Sequence, residues 1–250
     1  MVCTYPDVED RDPSQQSDMP DEPLRHAHRS SLEAFESIRS ASQCLFASTS
    51  RLLGCPVASP GASAAQLVAL LAPAMAELCA QPQPYRIEGV VAEITEHERG
   101  ATLGRLARTV YEVLFGLAGR DKDARACLEE PIGAPDWWFR FAGVELLLVT
   151  FAPCYGPSHP RCSFGPSTFL LFQPHAVFAR RRPAGSENFP VGTKQAIRRA
   201  FEHAGRPYDA QLSASAVESH KFVKPLRVGD PPVEWWREQA WLDAPPSGAT

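Results

Sequence analysis

The sequence predicts an α+β fold, a single domain with an antiparallel or mixed sheet packed by helices and preceded by a disordered acidic tail. Segments whose apolar residues recur at helical spacing alternate with segments rich in aromatic and branched residues, which are typical of strands. In the second half, two such strand-like segments follow each other along the chain. The 250 residues, 44% of them hydrophobic, suffice for a substantial core. Residues 1–28 hold seven acidic groups, four prolines and few apolar side chains, so we expect them to be disordered and the domain to span 29–245.

The first element of the domain is predicted to be a short helix that begins near Ser31. Its apolar residues, Leu32, Phe35 and Ile38, recur at helical spacing. The following segment QCLFASTSRL, residues 43–52, is interpreted as a strand or an extended segment.

A longer helix is predicted over residues 61–80, with Ser63 as its N-cap. Pro73 lies inside this pattern and is expected to kink or split the helix. Apolar and polar residues alternate well enough in 85–94 to predict a strand. The capping-box pattern TEHE that follows predicts a helix running to about Ala118.

The second half is predicted to contain two adjacent strands, in residues 137–151 and 168–178, because both segments are dense in aromatic and branched residues. A helix is expected over 193–204. The proline-rich C-terminal stretch is interpreted as a segment that wraps the domain and is held by Trp235 and Trp236.

The charge and cysteine content exclude several classes of partner. A formal net charge of −4 provides no basic surface for nucleic acid or an anionic membrane. No apolar run approaches the length of a membrane span, and the acidic start does not resemble a signal peptide. Seven cysteines without a CxxC pair indicate reduced thiols, so a cytoplasmic protein is expected.

The segment between the two predicted strands is APCYGPSHPRCSFGPS. It contains more reactive side chains than a simple connection between strands needs. It brings Cys154, His159, Arg161 and Cys162 close together. Three soft ligands could hold a zinc ion, although a closed zinc site takes a fourth. In the simplest interpretation the cysteines fill space and His159 is a turn residue stiffened by its flanking prolines.

Other candidates for a pocket are more scattered. His175 and His220 are reserve ligands, whereas His97 is expected at the surface. Arg180 and the two arginines after it could pair with a propionate or phosphate, or could form a solvated turn. Aromatic residues of the strands, Phe172 among them, could line a cofactor pocket or simply form the core.

Several of these segments resemble the YqcI/YcgG family. QCLFAS at 43–48 is similar to the family's FPCxFA-type start, with Gln43 in place of the proline. DWWFRFAGVELLLVTFAP at 136–153 resembles its W-x-F-x-F-G strand. TFLLFQPHAVF at 168–178 resembles its FQP-x-x-x-F strand, and the HPR segment between the two also matches. The similarity in order and spacing covers about residues 31–240.

This resemblance implies a haem-dependent N-hydroxylase of guanidine compounds, with haem b, dioxygen as co-substrate, an external electron donor and L-arginine as the leading substrate. His159 is then predicted to be the iron ligand, with Cys154 and Cys162 as thiolate alternatives. Arg161 and Arg180 are expected to pair with the haem propionates and Phe172 to line the pocket.

Two further interpretations compete with a monooxygenase. One is a haem-binding sensor or carrier without turnover, and the other is a cofactor-free protein whose loop is structural or holds zinc. An arginine substrate would need a carboxylate for its guanidinium, and Glu145, Glu218 and Glu234 are the candidates near the aromatic segments.

Overall fold

The computed structural model describes residues 29–82, 86–180 and 191–242. Within these ranges a five-stranded mixed sheet is packed by helices, which confirms the predicted α+β class. The predicted tail, residues 1–28, lies outside the described part of the chain. Among the described helices, none combines the length and the apolar character that a transmembrane segment requires.

The sheet has the strand order β1-β2-β5-β4-β3. The strands are β1 (Leu52–Gly54), β2 (Gly89–Ile94), β3 (Phe139–Phe141), β4 (Val144–Phe151) and β5 (Thr168–Pro174). Strands β1 and β2 are parallel because a helix crosses over between them, whereas all other neighbours are antiparallel. The two strands predicted to be adjacent in the second half are therefore confirmed as neighbours, and β4 and β5 pair antiparallel.

The helices begin at the caps that the sequence provides. They are α1 (Ser31–Ala41), α2 (Ala64–Ala80), α3 (Leu103–Ala118), α4 (Lys122–Glu129), α5 (His175–Arg180), α6 (Val191–His203) and α7 (Ala210–Ala214). The Ser63 hydroxyl accepts a hydrogen bond from Gln66 N–H, and the Gln66 side chain accepts one from Ser63 N–H. Ser30 and Glu33 form the same reciprocal box on α1.

The central strand β5 is buried on both faces, and it separates two cores of unequal size. Leu170 and Phe172 point into the larger core, which contains residues of α2 and α3. Phe169 and Leu171 point to the other face, where they meet Phe35 of α1 in a smaller core. Because alternate residues of a strand face opposite ways, this alternation decides which β5 side chains can reach a site on the α1 face.

Two predictions for the first half need correction, and one helix was not predicted. Residues 43–52 are mostly turns, and β1 is only three residues long. The capping-box pattern at 95–98 leads into a short 3₁₀ turn, and α3 begins later, with Thr102 as its N-cap. Helix α4 was not predicted; Asp121 caps it by accepting hydrogen bonds from two backbone N–H groups.

In the second half both predicted strands are shorter than expected. The segment 137–151 folds into a hairpin, because Ala142 and Gly143 adopt positive φ angles of 46° and 76° and reverse the chain between β3 and β4. Strand β5 ends at Pro174, and the predicted continuation to residue 178 is helical instead. The apolar residues Val177 and Phe178 belong to helix α5 and not to the strand.

Pro73 neither splits nor ends α2, which runs unbroken through it at an exposed position. The proline ring provides no N–H for the carbonyl of Ala69, so one intrahelical bond is missing. We expect Pro73→Ala to raise the free energy of unfolding by about 1–3 kcal/mol, measured by urea denaturation. As a control, Ala76→Gly at an exposed position of the same helix should lower it by about 1 kcal/mol. A loss of stability in Pro73→Ala would contradict this account.

Candidate functional site

An apolar cavity of about 330 Å³ lies on the α1 face of the sheet. Its floor is formed by β4 and β5 through Phe151 and Leu171, and α1, α5, α6 and the turn after α1 form its walls. The lining is dominated by aliphatic and aromatic side chains, namely Phe35, Ile38, Phe46, Leu52, Val149, Val177, Phe178, Ile197, Phe201 and Tyr208. This composition is typical of sites for small organic molecules or cofactors.

Arg161 is the outstanding polar residue of this cavity. It is only 8% exposed, and its Nη1 atom has no hydrogen-bond partner among the described residues. The guanidinium carbon lies 5.5 Å from the centre of the Phe151 ring, so one side of the group faces an aromatic wall. Nη1 itself has less than 1 Å² of accessible surface, so the unused donor lies within the protein and not at the open surface of the cavity. A buried donor without an acceptor is energetically costly.

The other polar groups of the lining are differently placed. Arg39 forms an ion pair with Glu36 at 2.9 Å and its side chain is one-third exposed, but its Nε atom also has no hydrogen-bond partner in the described part of the chain. Lys194 is exposed. Cys44 and the buried side chain of Gln173 also line the cavity. Within the described lining there is neither a histidine nor a carboxylate.

His159 lies in the same loop as Arg161 but does not line this cavity. Its Nδ1 atom accepts a hydrogen bond of 3.0 Å from the backbone N–H of Arg161, and its ring stacks on Tyr155 at 4.3 Å. It borders instead a second, very small cavity together with Lys224 and Asp209. In the structure, the predicted iron ligand thus lies outside the apolar cavity on the α1 face.

The surroundings of His159 favour its neutral form. Burial lowers the pKa of this imidazole to about 4, and the positive charges of Arg161 and Lys224 act in the same direction. A neutral ring whose Nδ1 accepts a hydrogen bond carries its proton on Nε2. In this arrangement neither ring nitrogen offers a free lone pair to a metal.

Tyr155 and Lys224 hold the loop against the C-terminal segment. The Tyr155 hydroxyl donates to the carbonyl of Lys224 and accepts from its N–H, both at 2.9 Å. Burial lowers the pKa of the Lys224 amine to about 7, and the Arg161 charge adds to this effect. The Lys224 amine lies 4.1 Å from the centre of the Tyr208 ring. These contacts fix the loop that presents Arg161 to the cavity.

The lowered pKa of His159 makes stability depend on pH. The unfolded chain takes up a proton on this residue near pH 6.5, whereas the folded chain does so only near pH 4, so stability falls as the pH drops between these values. We expect His159→Phe, which retains the stacked ring, to flatten this part of the stability curve relative to wild type in urea denaturation from pH 7 to pH 4. The exposed His97→Gln variant should leave the slope unchanged. Parallel curves for wild type and His159→Phe would refute the prediction.

The loop cysteines do not complete a metal site with His159. Among the described residues, no three or more His, Cys, Asp or Glu side chains are grouped so as to hold a metal ion. Cys162 is buried and its Sγ accepts a hydrogen bond from Phe164 N–H at 3.4 Å. Burial raises the pKa of the Cys154 thiol to about 12, so without a metal it is a neutral thiol. The geometry therefore favours the structural interpretation of both cysteines.

Phe172, expected to line a cofactor pocket, lies on the other face of the sheet. It is fully buried in the larger core, with its ring centre 6.4 Å from that of Phe139. Its neighbours in the strand, Leu171 and Gln173, face the cavity instead. Arg180 ends α5, but its side chain and the next two arginines lie outside the described residues.

The reserve histidines and the candidate carboxylates form separate pairs away from the cavity. His175 stacks on Trp138 at 4.3 Å and lies 3.6 Å from a carboxylate oxygen of Glu145. His220 stacks on Trp236 at 5.7 Å. The remaining two carboxylates make ion pairs within their own segments, Glu218 with Lys221 and Glu234 with Arg237.

Several cavity residues were not singled out in the sequence as candidates. Ile197 and Phe201 show the i, i+4 spacing of an apolar helix stripe, which predicts burial without saying against what. Cys44 stands in the segment 43–48 that carries part of the family resemblance. Only the tertiary fold brings them to the same space as Arg161.

Comparison of the chain with models of protein families, with curated proteins and with solved structures gave no match. The YqcI/YcgG resemblance of the individual segments therefore stays a prediction.

Proposed function

We propose that the protein is a haem-dependent monooxygenase that N-hydroxylates a guanidine compound, with L-arginine as the leading substrate. The observation that carries the proposal is the apolar cavity with the buried cation of Arg161 in its wall. A haem needs this combination of an aromatic and aliphatic enclosure and a cation for its propionates. Arg161 was predicted for this role, and its place in the cavity lining supports it.

The chemistry of the lining fits one edge of a haem. Phe151 and Leu171 would contact the macrocycle, while Arg161 would bind a propionate through charge-assisted hydrogen bonds. The volume of about 330 Å³ lies at the lower end of the range for small-molecule sites, roughly 300–1,000 Å³, and is smaller than a whole haem. The macrocycle would thus be only partly enclosed.

When bound, haem iron supplies the activation of dioxygen. In the overall reaction one oxygen atom enters a new N–O bond in place of an N–H bond. The other leaves as water, with two electrons from an external donor and two protons. Gln173 is buried in the floor, and its amide oxygen is the acceptor that could orient a guanidinium N–H. The apolar walls would exclude bulk water from the reacting nitrogen.

A haem-binding sensor or carrier without turnover is the second candidate. It is favoured by the absence of a carboxylate from the described lining, because a guanidinium is usually bound by one. Both candidates require haem, so turnover separates them.

The deciding experiment is an absorption spectrum of protein produced with a haem precursor, followed by an assay with reductant, dioxygen and L-arginine. A Soret band together with hydroxylated arginine supports the monooxygenase, with citrulline as the control that should not react. A Soret band without product supports the sensor or carrier. A colourless protein that does not bind added haem overturns both.

A further inference from the structure

Lys224 carries a buried amine that has no hydrogen-bond partner. The residue is only 3% exposed. Its backbone carbonyl and N–H both bond to the Tyr155 hydroxyl, but none of the described residues accepts a hydrogen bond from Nζ. The amine lies over the face of the Tyr208 ring, 4.1 Å from its centre. Lysine is almost never buried so deeply without a partner, so this amine points to a specific role.

Lys224 borders the small cavity that His159 also lines, which has a volume of about 10 Å³. This is about the space that one water-sized molecule needs. Most of its walls are prolines and aliphatic side chains, namely Pro160, Pro207, Leu212, Pro225 and Val228. Val228 is 60% exposed, so the cavity lies close to the protein surface and only a short path separates it from small solutes.

The carboxylates near this amine are engaged with other groups. The two oxygens of Asp209 accept hydrogen bonds from the backbone N–H groups of Leu212 and Gly229, at 2.8 and 3.4 Å. Glu218 forms an ion pair with Lys221 at 2.8 Å. Neither carboxylate bonds to the buried amine among the described residues, so both leave it without a direct counter-ion.

Arg161 is the charged group with the largest effect on Lys224. Its guanidinium is buried and makes no ion pair in the described part of the chain, and its enclosed Nη1 has no acceptor. The second cation beside the cavity, Arg227, is exposed. An anion formed on the Lys224 side chain would therefore be attracted to Arg161.

The surroundings also make the amine a nucleophile. Burial, together with the charge of Arg161, lowers the pKa of Lys224 to about 7, well below the usual value for a lysine. A large fraction of the amine is then neutral at neutral pH. Desolvation and a neighbouring cation are two of the ways in which proteins activate a lysine nucleophile.

The cavity and the charges together select the electrophile. Carbon dioxide is linear and about as wide as a water molecule, so it suits a narrow apolar space that excludes larger carbonyl compounds. Its adduct with an amine is an anion, which Arg161 stabilises. An aldehyde would instead give a cationic iminium, which the same guanidinium would destabilise.

We propose that Lys224 is a site of carbamylation by dissolved carbon dioxide. Nζ attacks the carbon atom, an N–C bond forms, and one C–O π-electron pair moves onto oxygen. The nitrogen releases a proton to solvent, which leaves an N-carboxylate on the side chain and requires no oxidant or reductant. The site lies outside the apolar cavity on the α1 face, so this inference does not depend on the proposed function.

The test is carbon-13 NMR of the full-length protein in labelled bicarbonate at about pH 8. Wild type should show a carbamate resonance that is lost in Lys224→Met. Lys122→Met, which removes an exposed lysine of α4, is the matched control and should retain it. At constant dissolved carbon dioxide the resonance should weaken as the pH falls from 8 to 6, because the amine takes up a proton.

Chemical trapping provides a readout on wild type that does not depend on the folding of any variant. Alkylation of the carbamate with a trialkyloxonium salt, followed by peptide mapping, should place the trapped carboxyl group on Lys224. The α-amino group of the chain can also form a carbamate, but that signal persists in Lys224→Met and serves as a reference. Identical spectra of wild type and Lys224→Met, or a trapped group found only on other amines, would overturn the proposal. None of these outcomes bears on haem binding.

Discussion

On the proposal that this cavity holds haem, Arg161→Met should weaken haem binding by about 10- to 100-fold. A hydrogen bond to a charged group contributes about 1.5–3 kcal/mol, and about 1.4 kcal/mol corresponds to a factor of ten in Kd. The bond should be at the strong end of this scale because the guanidinium is buried, where water screens a hydrogen bond less. Methionine retains much of the apolar stem, so the variant removes mainly the charge. Titration of haem into apoprotein, followed at the Soret band, measures the effect.

Arg39→Met is the matched control, because Arg39 lines the same cavity but its side chain is one-third exposed and its charge lies 2.9 Å from a Glu36 carboxylate oxygen. Like Arg161 Nη1, Arg39 Nε has no hydrogen-bond partner among the described residues, so the two variants differ in burial and in the neighbouring carboxylate. Exposed ion pairs contribute little, so the change in Kd should stay below about threefold. Equal effects of the two substitutions would show that Arg161 binds no carboxylate and that only the overall charge of the cavity matters.

Trp235→Ala should lower the free energy of unfolding by about 3–5 kcal/mol. The indole is fully buried, stacks on Phe222 with ring centres 5.8 Å apart and lies 6.3 Å from Trp137. Its Nε1–H donates to the carbonyl of Ser219 at 2.9 Å. The substitution therefore leaves a large cavity and an unsatisfied carbonyl, and urea denaturation monitored by circular dichroism measures the combined loss.

Leu242→Ala provides the comparison, since that side chain is 75% exposed in the same C-terminal segment. Its effect should stay within about 0.5 kcal/mol. A loss below about 1 kcal/mol in Trp235→Ala would mean that the C-terminal segment is attached to the core without stabilising it.

The fold was predictable where local chemistry decides the structure. Ser63 and the apolar stripe after it specify α2 without reference to the rest of the chain. The end of β5 was not predictable in this way, because Val177 and Phe178 continue an apolar run that suits a strand or a helix equally well. The hairpin at Ala142 was missed because alanine rarely adopts a positive φ angle.

The candidate site was predicted in part. Arg161 stands out in the sequence because it lies in a loop rich in proline and reactive side chains, and the structure places it in the cavity wall. His159 shares that loop, yet its ring turns toward Tyr155 and Lys224. The direction of a loop side chain depends on contacts with distant segments, and sequence spacing does not reveal them. Phe172 was assigned wrongly to the pocket for a similar reason. Neighbouring residues of a strand face opposite sides of the sheet, and the sequence does not show which side faces the cavity.

The pairing of β2 with β5 has a consequence for how the chain folds. Val90 pairs with Phe172, so the centre of the sheet joins two segments that are far apart in sequence, whereas β3, β4 and β5 form a compact meander. Contacts of long sequence separation are slow to form, because closing the intervening loop costs entropy. During synthesis the β5-facing edge of β2 has no strand partner until residue 174 has emerged. The meander is thus expected to be the template on which the N-terminal strands assemble, and the first half alone should aggregate through that open edge.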